Sequence, residues 1–114
     1  HQSPETSEKS KVGPNSIEFG STVIKLEHDI RPLQSEKHLP WAYTHEQRED
    51  IIHLTVHVNS NALIFEKAAA KSQPLLLTLA VADCVSEYLM KTHRMDIDRA
   101  KQYRNEWLHA SLRE

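Results

Sequence analysis

The stretch Glu49–Lys67, EDIIHLTVHVNSNALIFEK, gathers the side chains of this chain best placed to bind a metal or move a proton. On a helix, Glu49, His53 and His57 stand at i, i+4 and i+8 along one line. Two histidines at that spacing can hold one divalent metal with a carboxylate beside them. A zinc-protease helix also needs a glutamate next to its first histidine as general base, and that position here is Leu54. The same imidazoles can instead sit in water, or line an interface where their charge follows pH. No catalytic, cofactor-binding or metal-binding residue is therefore assigned, and a His53–His57 metal-binding module is kept as an alternative.

Other chemistry lacks its minimal parts. No GxSxG elbow occurs, and two glycines in 114 residues cannot build a phosphate-cradling loop. Asp96 and Asp98 lack the glycine and distal glutamate of a calcium loop. The single cysteine, Cys84, lies in the apolar run LLLTLAVADCVSEYLM, where it reads as a small buried hydrophobe and fits a reducing compartment. A formal charge of −2 supplies no general attraction for nucleic acid or anionic membrane. One local exception is KTHRMDIDRAKQYR, whose Arg94, Arg99, Lys101 and Arg104 could belong to the second helix of a helix-turn-helix. Asp96 and Asp98 would repel phosphates at the start of that helix. A small DNA-binding regulator is thus a second alternative.

The elements that would position these residues are expected to be mainly α. His1–Ser16, rich in Ser, Pro, Glu and Lys, reads as a disordered tail without signal-peptide character, and 17–114 as a single cytoplasmic domain. Residues 17–43 read as a strand-like arm, broken by Gly20, and a connector held irregular by Pro32 and Pro40. Thr44 and Gln47 have capping-box spacing, which predicts a first helix over 44–71. At a period of 3.6, Ile51, Leu54, Val58 and Phe65 share one stripe of it, while Ile52, Val56 and Leu63 share a second. A strand is the rival for IIHLTVHV, because that run also alternates and is rich in β-branched residues. Pro74 marks a second helix over 74–93, apolar nearly all round, and Asp96 caps a third over 96–113. The expected architecture is a small three-helix bundle with an extended arm, completed by dimerisation.

IRPL (Ile30–Leu33), LPW (Leu39–Trp41), a long helix ending in EKA (Glu66–Ala68), and a further helix follow one another in an order that resembles the TraM-type anti-activators of bacterial quorum sensing. The chain length is also similar to that of anti-activators of the QslA type. The resemblance covers about half the chain, from Ile30 to near Leu89. It implies a helical homodimer that sequesters a LuxR-type transcriptional activator, blocking its dimerisation or its DNA contact, and needs no active site. On this reading Ile51, Leu54, Val58, Phe65, Leu76, Leu79 and Tyr88 form the core and self-association face. Trp41, Tyr43, Ile52, Val56 and Leu63 form the partner surface, since large aromatic and apolar side chains dominate interface energetics.

Overall fold

Ile51–Asn59 is a strand, not the middle of a helix. Its period is two: Leu54, Val56 and Val58 are buried, whereas His53, Thr55 and His57 between them face the other way. The helical stripe through Ile51, Leu54 and Val58 shares two members with this alternation, so the sequence supports both periods. Five β-branched residues in nine decide it, because they keep their preferred rotamers on a pleated surface and lose side-chain freedom in a helix.

The computed structural model describes residues 10–32 and 38–113, and the fold is α/β. Five strands, β1 (Ser10–Val12), β2 (Ser16–Phe19), β3 (Thr22–Arg31), β4 (Trp41–Arg48) and β5 (Ile51–Asn59), form one sheet in the order β1-β2-β3-β5-β4. Neighbours are antiparallel except the central pair β3 and β5, which run parallel with Ile24 opposite Ile52 and Asp29 opposite His57. A short α1 (Leu63–Lys67) and one 3-10 turn (Ala70–Ser72) lead into α2 (Gln73–Thr92) and α3 (Ile97–Arg113). The mainly helical bundle is therefore replaced by a two-layer sandwich. The predicted first helix over 44–71 becomes the β4–β5 hairpin followed by α1, and the strand-like arm becomes β2 and most of β3.

Helices two and three lie close to where proline and the Asp96 cap put them. The Asp96 carboxylate accepts the Arg99 amide at 2.8 Å, the bond an N-cap side chain makes to the first turn. Thr44 caps nothing: it sits in β4, with its hydroxyl 2.8 Å from His57 Nε2. Of the expected tail, Ser10–Val12 is a strand paired to β2, and residues 1–9 lie outside the described residues.

The core fills the space between the helices and one sheet face. Ile17, Ile24, Leu54, Val56 and Val58 come up from the strands to meet Ala80, Val85, Tyr88 and Leu89 of α2 and Tyr103 and Trp107 of α3. Trp107 donates its indole N–H to the Pro14 carbonyl at 2.9 Å, which ties α3 to the β1–β2 turn. Asn59, almost wholly buried, ends β5: its amide group donates to the Leu39 carbonyl at 3.0 Å and accepts the Asn61 amide at 3.0 Å. This holds the residues that enter β4 against the turn that leaves β5.

The β4–β5 loop is two residues long, Glu49–Asp50, and Glu49 has φ 60°. A glycine belongs at the first position of such a loop, since a Cβ in the left-handed region costs about 1 kcal/mol or more. Glu49→Gly is expected to stabilise the fold by about 0.5–1 kcal/mol after the entropy that glycine adds to the unfolded chain, seen as a melting temperature higher by about 3–6 °C.

Candidate protein-binding groove

A strand pulls His53 and His57 apart. Four residues at about 3.3 Å each separate them by about 13 Å, too far to share one metal ion, and no metal-holding group of three His, Cys, Asp or Glu occurs among the described residues. Each imidazole pairs instead with an acid on β3: His53 Nδ1 lies 3.3 Å from Glu27, and His57 Nδ1 lies 2.8 Å from Asp29. Arg31, hydrogen-bonded to Asp29, and then His57 hold the Asp29 carboxyl below its ordinary range against the opposing effect of burial. With Asp29 ionised, His57 Nδ1–H donates to its carboxylate, and the Thr44 hydroxyl lies 2.8 Å from Nε2 on the far side of the ring.

Asp29, His57 and Thr44 thus stand in the order of an acyl-transfer triad, on the sheet face that carries no helix. Acyl transfer also requires N–H donors aimed at the developing oxyanion. The β4 amides around Thr44 lie in the plane of the sheet, directed to β5 or off the sheet edge. The row is a cross-strand polar chain. Cys84 adds no nucleophile, because burial pushes its thiol up to about 12.

The other face holds a groove. Among the described residues β4 is an edge strand, paired with β5 alone. Because the Asn59 amide bonds the Pro40 carbonyl at 2.9 Å, the even-numbered residues of β4 exchange hydrogen bonds with β5. The N–H and C=O groups of Trp41, Tyr43, His45 and Gln47 therefore point off the sheet. The side chains of Trp41, Tyr43 and His45 turn toward α2 and, with its Asp83, Glu87 and Lys91, line an open groove of about 690 Å³ that runs beside this edge.

Each wall has a reason. Asp83, Glu87 and Lys91 recur every four residues and so share one line of α2. Trp41 Nε1 donates to Asp83 at 2.9 Å, and Lys91 donates to Glu87 at 2.7 Å. Behind Tyr43 and His45 lies Tyr88, with ring centroids 6.1 and 5.0 Å away, and its hydroxyl is 2.8 Å from His93 Nε2. Burial, helped by His45, pushes the His93 pKa below 6.5. The unfolded chain then takes up this proton first on acidification. The stability contributed is fully present above pH 6.5 and is lost as pH falls through the lowered folded value. Thermal melts of wild type at falling pH are expected to decline more steeply than those of His93→Gln, which keeps an acceptor for Tyr88 and does not titrate.

The residues read from the sequence as a partner surface divide. Trp41 and Tyr43 are half-buried walls of the groove. Val56 is 0 % exposed and so is no surface, and Ile52 is partly buried against the core, which corrects the two-stripe reading. Leu63 is exposed on α1. Among the residues read as core, Leu54, Val58, Phe65 and Tyr88 are buried and Leu76 packs against them, while Leu79 is exposed and Ile51 lies half-buried on the open face. Arg99 spreads over the Phe19 and Tyr103 rings, 6.0 and 5.7 Å from their centroids, and α3 packs mainly along α2, touching the sheet at β1. Of the basic residues there, Arg94 and Lys101 are exposed and Arg104 is partly exposed. Sequence reasoning missed His45, Asp83, Glu87 and Lys91. The alternation of Trp41, Tyr43 and His45 with small or hydroxyl residues, and the four-residue charge spacing, were the available signals.

In comparisons with known proteins, the chain matches no family model, no curated protein and no solved structure. No helix among the described residues is long and apolar enough to cross a membrane.

Proposed function

We propose that this chain is a regulatory protein-binding domain that works without catalysis, taking an extended segment of a partner onto the free edge of β4. The observation that carries this reading is the junction of an eight-residue strand edge with a groove: unpaired backbone groups supply hydrogen bonds, and side-chain walls supply selectivity. An added strand places alternate side chains in the groove. One, apolar, would lie over Trp41 and Tyr43. The next, basic, would meet Asp83 and Glu87, whose carboxylates keep lone pairs beyond those used by Trp41 and Lys91.

Held in this way, a segment is unavailable for its owner's dimerisation or DNA contact. LuxR-type activators, the partner class implied by the sequence resemblance, are the first to try. The test is selection of random short peptides displayed on phage against the purified chain, followed by co-expression with LuxR-type activators. Expected is a consensus alternating apolar and basic residues, whose peptide competes with the activator. Selection of amphipathic helical peptides, or of peptides that bind equally well when Trp41 and Tyr43 are both alanine, would contradict the proposal.

A further inference from the structure

Among the described residues, the edge that accepts a partner is also left uncovered toward a copy of itself. Sheet edges in monomeric proteins are protected by shortness, by proline, by charged side chains and lysine above all, by a bulge, or by a covering helix or loop. β1, at one side of the sheet, is three residues long and protected in the first way. β4, at the other, runs eight residues in regular register, with Pro40 lying before it and no lysine within it; its two charged residues, Glu46 and Arg48, lie in its last three positions.

We infer that β4 pairs antiparallel with β4 of a second copy about a twofold axis at Thr44, and that this self-pairing closes the groove until a partner strand displaces it. The inference rests on the reading of β4 as a strand-accepting edge, and it adds a regulation of that edge. Outward backbone groups belong to odd-numbered residues, so odd must pair with odd. Centring on Thr44 meets this condition: Tyr43 hydrogen-bonds opposite His45 of the copy, Trp41 lies opposite Gln47, and Ala42 opposite Glu46. No like charges face each other. Tyr43 and His45 already stack within one chain at 6.4 Å, so their rings suit the cross-strand contact. Centring one residue further on would set His45 against His45 and leave Trp41 unpaired. Each Thr44 then faces its twin in a non-hydrogen-bonded pair, where side chains come closest. The contact is isologous, so assembly stops at two copies, and a ten-stranded sheet results whose outer edges are both the short β1.

Thr44 is exposed on the open face, which makes it a position to test self-pairing without touching the groove. Sedimentation equilibrium of the wild type is expected to show a monomer–dimer equilibrium. Thr44→Asp and Thr44→Lys, each alone, are expected to be monomeric, because like charges meet on the axis, and an equal mixture of the two should regain the dimer. Addition of the phage-selected peptide should shift the wild type to peptide-bound monomer, with Thr44→Asp binding that peptide at least as tightly. A wild type that stays monomeric at its solubility limit, or a dimer that persists in both single variants, would overturn the self-pairing and leave peptide binding standing. Conversely, a charge-rescued dimer with no peptide binding would overturn the proposed function and leave the self-pairing standing.

Discussion

Val56→Asp is expected to leave no cooperatively folded protein. Val56 is fully enclosed between the sheet and α2, in a cluster with Leu54, Val58 and Tyr88, and no basic residue belongs to that cluster. An unpaired carboxylate there costs several kcal/mol even if it is protonated, and the cavity left by the lost methyls adds to it. The sum is comparable with a whole domain stability of about 5–15 kcal/mol. Leu63→Asp is the contrast, since Leu63 is 55 % exposed and the change should stay within about 0.5 kcal/mol. Circular dichroism melts of the two variants check both. A cooperatively folded Val56→Asp would contradict the burial of this side chain between sheet and helix.

The second large effect concerns binding. His45→Pro is expected to weaken the selected peptide by at least about 100-fold, near 3 kcal/mol, because it removes an outward amide in the middle of the accepting edge and sets a ring against the incoming strand. The fold should survive with a loss of about 1–2 kcal/mol, since that amide makes no bond to β5. Thr44→Pro, one residue away, removes an inward amide from the β4–β5 ladder and should unfold the hairpin. Calorimetry with the peptide and thermal melts of both variants test the pair. Equal binding by wild type and His45→Pro would show that the peptide does not add as a strand.

The two long helices could be read in the sequence because Pro74 and Asp96 mark their starts and because their apolar residues have few competing periods. The β4–β5 hairpin could not, for three physical reasons. Its turn carries Glu49 at positive φ where glycine would have marked it. The spacing from Thr44 to Gln47 imitates a helix cap, yet Thr44 binds His57. Leu54 and Val58 satisfy helical and strand periods alike. That one assignment moved the site: Val56 went from an imagined second stripe into the core, Ile52 came to pack against it, and the His53–His57 pair was drawn out of metal-binding reach. Trp41 and Tyr43 were recognisable as anchors from residue type alone. Their groove was not, because its other wall comes from α2, some forty residues on.

The most direct measurement is amide hydrogen exchange of β4, followed by NMR with and without the selected peptide at concentrations where the chain is monomeric. The account predicts that the peptide slows exchange at Tyr43, His45 and Gln47, while Ala42, Thr44 and Glu46, already bonded to β5, change little. A bound peptide that leaves those odd-numbered amides unprotected, and instead shifts His53 and His57 on the open face, would contradict strand addition at β4.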